Sequence, residues 1–300
     1  MDKLHIHACP LCGSRQFSHW MKCKDYCMSN EEFDVYSCDG CGFRFTQDVP
    51  VEAEIGSYYE TPDYISHTDT QKGLVNRLYH LVRKRMLAEK ARLVSRSAGM
   101  PQGRLLDIGT GTAYFPHYMK QKGWEVTAIE KSEKARRFAK ERFGLEVGEE
   151  SLLDELPDAG FDAITLWHVM EHLEKLNETW DRLRMLLSGT GVLVVAVPNS
   201  NSYDARYYKE RWAAYDVPRH LWHFTPATLC RMGAKHGFKL VARRPMPFDA
   251  FYVSMLSEKY RHSSMPFFKG MYRGSVALLH SLFREENSSS MIYVFRKERP

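Results

Sequence analysis

A short apolar strand that runs directly into a glycine-containing turn is the feature that most restricts the fold of this chain. Residues 105–111 read Leu-Leu-Asp-Ile-Gly-Thr-Gly, so that Asp107, Gly109 and Gly111 form a D-x-G-x-G pattern. Glycine at both turn positions allows a sharp bend and a close approach of a ligand to the backbone, because no Cβ is present. We expect a helix to begin near Ala113, with the amide groups of its first turn directed toward a bound ligand. The pattern predicts a ligand-binding strand–turn–helix unit.

A second predicted strand, Glu125–Ile129, leads into a carboxylate. Glu130 follows Gly111 by 19 residues, and a carboxylate about 20 residues after such a turn is placed to bind the hydroxyl groups of a ribose. The third glycine of a dinucleotide fingerprint is missing, since that position holds Tyr114. Asp107 would repel a pyrophosphate, but it suits a positively charged ligand. These features favour S-adenosylmethionine over a nicotinamide cofactor, and a glycine turn that binds no cofactor is the remaining alternative.

Together these residues resemble the signature of the class I S-adenosylmethionine-dependent methyltransferases. The resemblance is carried by Leu105–Ala113, by Glu130 and by the stretch from Phe161–Ile164 to Glu171–Leu173, and it covers about residues 100–245. It implies an α/β, Rossmann-like fold with a doubly wound, seven-stranded, mostly parallel sheet whose last strand is antiparallel. The resemblance identifies a superfamily and leaves the substrate open.

The distribution of apolar runs is consistent with that fold. The run Gly191–Val197 is rich in β-branched residues, as in a strand buried on both faces. A helix is expected over Ser132–Phe143, beginning at a capping serine and stopping at Gly144, and another after Thr225-Pro226. Alternation of strands and helices indicates a parallel sheet covered on both sides. The other strands after the glycine turn are expected at residues 125–129, 145–148, 161–167, 239–243 and 291–296.

The resemblance also implies which residues contact the cofactor. In the family, an acidic residue followed by an apolar one comes after strand three and contacts the adenine. Here the stretch is Glu149-Glu150-Ser151-Leu152, and we assign Ser151 and Leu152 to that place. His168, at the end of strand four, matches a position beside the cofactor or the substrate. The predicted cofactor-binding residues are Asp107, Gly109, Thr110, Gly111, Glu130, Ser151, Leu152 and His168.

Catalytic groups are expected at the carboxyl ends of the parallel strands, where open α/β sheets bind their ligands. The loop at residues 199–224 is crowded with aromatic and ionisable residues, and we interpret it as a substrate lid. The candidate catalytic residues are His168, His220 and Asp216, since a hydroxyl acceptor of high pKa needs a general base. The alternative is a rigid loop packed by its own aromatic side chains. An insert at residues 246–288 is expected to cover the substrate or to form a homodimer face.

Two C-x-x-C-G knuckles near the N-terminus predict a metal site. Cys9 and Cys12 form the first knuckle, Cys38 and Cys41 form the second, and 25 residues separate them. Two such bends provide four thiolates in the arrangement of a structural zinc ion, with no open coordination position for catalysis. Disulfide pairing is a weaker alternative, because nothing in the sequence indicates secretion. The metal would supply the folding energy of this small module.

The charge of the N-terminal module argues against nucleic acid as its partner. Residues 1–50 hold five lysines and arginines against seven aspartates and glutamates. A zinc module before a class I methyltransferase also resembles, more loosely, bacterial enzymes of sugar and surface-polysaccharide metabolism. We therefore expect methyl transfer to a small-molecule acceptor, at oxygen and in a sugar-containing metabolite. The alternatives are an RNA methyltransferase, in which the ribbon and a basic amphipathic helix bind RNA, and a non-catalytic scaffold.

Length and composition complete the expectations. We divide the 300 residues into a zinc ribbon at 1–50, a linker with an amphipathic helix at 51–99 and a cofactor-binding domain at 100–300. The sequence shows no signal peptide and no run of 18 apolar residues, so we expect no membrane span. Seven cysteines without secretory features indicate the reducing cytoplasm.

Overall fold

The N-terminal segment consists of short antiparallel strands that alternate with tight turns. A computed structural model describes residues 3–59 and 74–298 of the chain, and residues 60–73 of the predicted linker lie outside the described residues. The strands of the segment are β1 (Lys3–Leu4), β2 (Phe17–Lys24), β3 (Glu32–Cys38), β4 (Arg44–Thr46) and β5 (Val49–Pro50). Strand β3 lies between β2 and β4, whereas β1 pairs with β5. All these pairings are antiparallel.

A six-stranded sheet forms the centre of the rest of the protein. Its strands are β6 (Arg104–Ile108), β7 (Glu125–Ile129), β8 (Phe161–Trp167), β9 (Leu187–Pro198), β11 (Phe238–Pro245) and β12 (Ser290–Lys297), and β10 (Trp222–His223) belongs to another sheet. The strand order is β11-β12-β9-β8-β6-β7. Strand β12 pairs antiparallel with β11 and β9, and the other pairings of the sheet are parallel. The predicted mostly parallel sheet with an antiparallel last strand is confirmed.

The expectation of seven strands is wrong by one strand. At residues 145–148 the structure has a single parallel bridge between Gly148 and Ile129 at the edge of the sheet. The amide of Gly148 donates to the carbonyl oxygen of Ala128, and the amide of Glu130 donates to that of Gly148. Leu145 is the one residue of this stretch that is buried. With so little apolar surface to bury, the edge segment pairs over one residue and does not extend into a strand.

The side chains of the central strands alternate between two cores, one on each face of the sheet. Leu106, Ile164 and Leu193 belong to one core, and their neighbours Leu105 and Ala163 belong to the other. Helices cover both faces, as the double-sided burial of a parallel sheet requires. The helices are α1 (Leu74–Ala98), α2 (Tyr114–Gln121), α3 (Glu133–Phe143), α4 (Leu152–Glu155), α5 (Leu176–Leu186), α6 (Tyr203–Tyr208), α7 (Pro226–Lys235), α8 (Asp249–Tyr260) and α9 (Pro266–Phe283).

Helix ends follow the local chemistry predicted for them. The Ser132 hydroxyl accepts a hydrogen bond from the amide of Ala135 at the start of α3, and Gly144 ends that helix in a left-handed conformation. Thr225 and Thr228 form a capping box at the start of α7, with proline in its first turn. These caps confirm the predicted helix starts.

Strand β10 comes from the loop after β9, but it pairs with the N-terminal sheet. Trp222 lies opposite Phe45 and His223 lies opposite Arg44 in antiparallel register. The Thr46 hydroxyl donates a hydrogen bond of 2.8 Å to the carbonyl oxygen of His220. Much of the loop at 199–224 is buried, including its aromatic residues Trp212, Tyr215, Trp222 and Phe224. The loop is thus a shared structural element of the N-terminal segment and the central domain.

The insert forms a helical hairpin of α8 and α9 that presents apolar side chains outward. The helices approach closely, since a Cβ on Gly270 would lie 2.5 Å from the Cα of Met255, and one on Gly274 would lie 2.8 Å from the Cα of Phe251. The most exposed apolar side chains of α9 are Phe267, Phe268, Tyr272, Leu282 and Phe283. Within residues 3–59 and 74–298, no helix is long and apolar enough to cross a bilayer.

Candidate functional site

The turn after β6 is shaped by glycine at two positions. Gly109 and Gly111 have φ angles of +66° and +56°, in the left-handed region that glycine adopts without strain. A Cβ on Gly109 would lie 2.4 Å from Cγ2 of Val169, whereas one on Gly111 would meet no atom within 4 Å. The first glycine therefore permits close packing against the end of β8, and the second faces open space where a ligand can approach the backbone.

Glu130 closes over this turn from the neighbouring strand. One carboxylate oxygen accepts a hydrogen bond of 2.7 Å from the amide of Gly111, and the other accepts one of 2.9 Å from the amide of Ser132. The turn and the acidic residue, 19 positions apart in sequence, are thus in direct contact. A carboxylate held in this way is oriented beside the open side of the turn.

Asp107 lies beneath the turn and is only 1% exposed. Its carboxylate accepts a hydrogen bond from the hydroxyl of Thr165 on β8. Burial raises the pKa of the Asp107 carboxyl to about 6, although the hydrogen bond from Thr165 acts in the opposite direction. The side chain links two adjacent strands below the turn.

A cavity of about 510 Å³ opens beside the turn. Among its lining residues are Gly109, Glu130 and His168, all predicted to contact the cofactor. Part of its wall comes from the N-terminal segment, through Val49, Glu52, Ile55 and Tyr59. These four residues carry no local sequence signal of a binding site, because the stretch has the pattern of a ribbon end and a linker. The turn open at Gly111 and the adjacent carboxylate fit a nucleoside that carries ribose hydroxyl groups.

Neither Ser151 nor Leu152, the two residues assigned to the adenine, is among the lining residues of the cavity. The side chain of Ser151 is exposed, and that of Leu152 packs against Gly148, where a Cβ would lie 2.3 Å from Cδ2 of Leu152. Glu150 is the member of this stretch that lines the cavity. Glu150, one position before Ser151, is therefore the acidic residue of this stretch that lies where the family has its acidic residue after strand three.

His168 stands at the carboxyl end of β8 between two carboxylates. Its Nε2 lies 3.1 Å from Oδ2 of Asp249, and its Nδ1 lies 3.4 Å from Oε1 of Glu171. Burial lowers the pKa of His168, but the hydrogen bond to Asp249 and the negative charges of Asp249 and Glu171 outweigh it and raise the pKa to about 10. The imidazole is therefore protonated at neutral pH, and in that state it donates protons to hydrogen bonds and does not accept one.

Asp216 and His220 lie in the loop that leads into β10. Both carboxylate oxygens of Asp216 accept hydrogen bonds from the guanidinium of Arg219, at 2.7 and 3.0 Å. Nδ1 of His220 lies 2.9 Å from the carbonyl oxygen of Ala214, and its Nε2 lies 3.9 Å from Oδ2 of Asp216. The structure brings the predicted residues Asp216 and His220 together, with Arg219 as the partner that orients the carboxylate.

The four cysteines of the two knuckles converge at one point. Sγ of Cys9 lies 3.5 Å from Sγ of Cys41, and Sγ of Cys12 lies 3.5 Å from Sγ of Cys38. All four sulfur atoms are within 4.8 Å of one another. Thiolates bound tetrahedrally at about 2.3 Å from zinc are separated by roughly 3.8 Å. The spacing and the donor type fit a structural zinc ion.

The central domain has the α/β fold of class I methyltransferases. Residues 79–243 match the methyltransferase domain family, and the chain belongs to that family. An uncharacterized methyltransferase of Alkaliphilus oremlandii is 29% identical over 111 residues, which are 36% of this chain and 50% of that protein. The chain spans about half the length of the curated relatives it matches.

Solved structures with low sequence identity share the fold. A putative sarcosine dimethylglycine methyltransferase of Galdieria sulphuraria is 15% identical, with a TM-score of 0.51, over 74% of this chain and 88% of that chain. The [4+2]-cyclase SpnF is 17% identical, with a TM-score of 0.50, over 71% of this chain and 81% of that chain. Proteins with this fold catalyse more than one type of reaction. The fold therefore does not identify the substrate, and only the residues of the site can indicate it.

Proposed function

We propose that this protein transfers a methyl group from S-adenosylmethionine to an oxygen atom of a small-molecule acceptor. The observation that carries the proposal is the cavity in which the glycine turn, Glu130 and the histidines at the end of β8 meet. When bound, the cofactor supplies a methyl group on a positively charged sulfur, a strong electrophile. The protein then has to align the acceptor oxygen and exclude water, which can lower the barrier by several kcal/mol.

The residues of the cavity have distinct proposed roles. Glu130 binds the ribose hydroxyls, exchanging its hydrogen bond to the Gly111 amide for contacts with the cofactor. Glu150 faces the adenine in place of the predicted Ser151. His168, protonated and held by Asp249, contacts the cofactor or the acceptor through its ring and does not act as the base.

His220 is the group proposed to contact and deprotonate the acceptor. Its Nδ1 has a carbonyl oxygen, that of Ala214, as its neighbour at 2.9 Å, which places the proton on Nδ1 and a lone pair on Nε2. Asp216 lies on the Nε2 side and stabilises positive charge on that ring. A hydroxyl acceptor needs such a base if its pKa is high.

A small acceptor suits the shape of the site. The N-terminal segment contributes Val49, Ile55 and Tyr59 to the wall of the cavity, so the space beside the cofactor is limited by protein on several sides. The segment carries more acidic than basic residues, which does not suit a nucleic acid as the acceptor. A compact, hydroxyl-bearing metabolite, such as a sugar-containing one, is the acceptor class we propose.

The N-terminal segment is proposed to be a structural zinc module at residues 1–50, followed by a linker and helix at 51–99 and the cofactor-binding domain at 100–300. Four cysteine sulfur atoms within 4.8 Å of one another support this role, because four thiolates on one zinc ion leave no coordination position for a substrate. The module would hold the cavity wall and the loop with β10 in place.

Calorimetric titration of the zinc-loaded protein with S-adenosylmethionine and S-adenosylhomocysteine tests the proposal. We expect micromolar binding that Glu130→Gln weakens by at least about tenfold, or 1.4 kcal/mol. Glu133→Gln is the matched control, because Glu133 lies nearby on α3 in an exposed ion pair with Arg137. Acceptors are then screened by release of S-adenosylhomocysteine, starting with nucleotide sugars. Absence of cofactor binding by the wild type would overturn the proposal.

A further inference from the structure

Three potential metal ligands outside the cysteine cluster converge beside the cavity. Glu171 and His172 end the single-turn helix Met170–His172 after β8, and His220 precedes β10. One ligand atom from each of Glu171, His172 and His220 lies within 4.8 Å of the other two. The rings of His172 and His220 are perpendicular, with centroids 4.5 Å apart. Two elements distant in sequence thus place two imidazoles and a carboxylate around one point.

The carboxylate of Glu171 is buried without hydrogen bonds. The residue is 0% exposed, and among the described residues neither carboxylate oxygen accepts a hydrogen bond. Its nearest charged neighbour is His168, whose Nδ1 is 3.4 Å from Oε1. Burying a charged group is costly unless it is paired and hydrogen-bonded or coordinates a metal. Together with the two imidazoles, these oxygens form a donor set that suits a metal cation.

The two histidines are oriented by backbone carbonyl groups. Nδ1 of His220 lies 2.9 Å from the carbonyl oxygen of Ala214, and Nδ1 of His172 lies 3.0 Å from that of Arg219. A carbonyl oxygen only accepts, so both protons belong on Nδ1 and both Nε2 atoms keep a lone pair. Metal-binding histidines are held in this way, with the non-ligating nitrogen donating to a carbonyl or carboxylate.

We propose that Glu171, His172 and His220 bind a divalent first-row transition-metal ion. Two imidazoles and one carboxylate suit such ions and leave further coordination positions open. Ligand atoms about 2.1 Å from one ion are roughly 3 to 3.5 Å apart, so small side-chain rotations from the present separations are enough. His172 lines the same cavity as Gly109 and Glu130, which gives an ion at this site access to bound molecules.

The ion gives the site a second route to an oxygen nucleophile, and this step rests on the proposed methyl transfer. The acceptor hydroxyl would bind at an open coordination position, which lowers its pKa as it does for water on zinc. Its proton passes to water in the cavity. The new C–O bond forms as the methyl–sulfur bond breaks, and the sulfur keeps the electron pair as a neutral thioether. The ion then replaces His220 in activating the acceptor, and His220 holds the ion.

Metal binding is measured without cofactor, on the full chain with its cysteine cluster loaded with zinc. Co²⁺ is the probe, followed by calorimetry and by visible absorption. We expect one Co²⁺ to bind the wild type, with affinity reduced by at least about 100-fold in Glu171→Gln and His172→Gln. His280→Gln, an exposed histidine on α9, is the control and should bind like the wild type. Zinc content and circular dichroism verify that each variant is folded.

The outcomes separate this inference from the proposed function. Equal Co²⁺ affinity in the wild type and both variants, or no binding by the wild type, overturns the metal site even if S-adenosylmethionine binds. Conversely, Co²⁺ binding that depends on Glu171 and His172 supports the site even if the cofactor fails to bind. If Glu171→Gln does not fold, the variant of His172, which lies at the cavity wall, decides the question.

Discussion

Nη2 of Arg219 lies 2.9 Å from Oδ1 of Asp25, and both side chains are at most 1% exposed. This ion pair joins the loop that leads into β10 to the turn between β2 and β3. The same guanidinium binds Asp216 and donates to the carbonyl oxygen of Tyr58. A single buried cation therefore connects the N-terminal module, the cavity wall and the candidate catalytic loop.

Replacing that cation should be strongly destabilising. Arg219→Ala leaves the buried carboxylate of Asp25 and that of Asp216 without their partner, which costs about 3 to 5 kcal/mol in comparable sites. Urea unfolding measures the loss. The control is Arg137→Ala, which removes an exposed pair with Glu133 and should cost less than about 1 kcal/mol. Similar losses of unfolding free energy in Arg219→Ala and Arg137→Ala would show that the buried ion pair stabilises the protein no more than the exposed one.

The two glycines of the turn should respond differently to alanine. Gly109→Ala combines a positive φ with a 2.4 Å approach to Val169, so we expect a loss of about 2 to 4 kcal/mol in unfolding free energy. Gly111→Ala meets open space and should cost about 1 to 2 kcal/mol from its φ alone, while weakening cofactor binding. Thermal unfolding and cofactor calorimetry distinguish the two effects. A Gly111→Ala protein with wild-type cofactor affinity would place the ligand elsewhere.

Metal analysis tests the cysteine cluster. Cys12→Ser should lower the zinc content by about one ion per chain, because a structural site needs all four thiolates. Loss of the ion should also increase hydrogen exchange in β2, β3 and β4, since metal binding stabilises such small modules. Cys230→Ser, outside the cluster, is the control and should retain zinc. Unchanged zinc in Cys12→Ser would exclude the four-cysteine site.

The buried carboxyl of Asp107 should make stability depend on pH. Its pKa is raised by burial from 3.8 to about 6, so the folded state binds the proton more tightly than the unfolded state. The free energy of unfolding therefore falls as pH rises from about 4 to 6, by roughly 3 kcal/mol. Asp107→Asn should remove this fall and leave a protein with higher stability than the wild type at pH 7.

Denaturant unfolding of both proteins across this pH range is the measurement. Asp154→Asn, an exposed aspartate on α4, should retain the wild-type pH dependence. If the free energy of unfolding of Asp107→Asn falls with rising pH as much as that of the wild type, another group causes the pH dependence.

Much of the central domain could be predicted from local pattern. The D-x-G-x-G turn, the carboxylate at Glu130, the β-branched run at 191–197 and the caps at Ser132 and Thr225 each depend on neighbours within a few residues. The same is true of the two C-x-x-C-G knuckles, whose spacing already indicates a four-thiolate site. Such features are determined by backbone geometry, side-chain shape and hydrogen bonding over short range.

The tertiary structure decided which distant segments meet. Nothing local marks Trp222 as the partner of Phe45, or Ile55 and Tyr59 as part of the cavity wall. The cluster of Glu171, His172 and His220 likewise depends on packing a loop against the end of a strand nearly fifty residues earlier in the chain. The sequence by itself determined the class of sheet, the glycine turn and the cysteine cluster, because these follow from periodicity and fixed spacing. The composition of the cavity depended on long-range burial and ion pairing, which only the folded chain brings together.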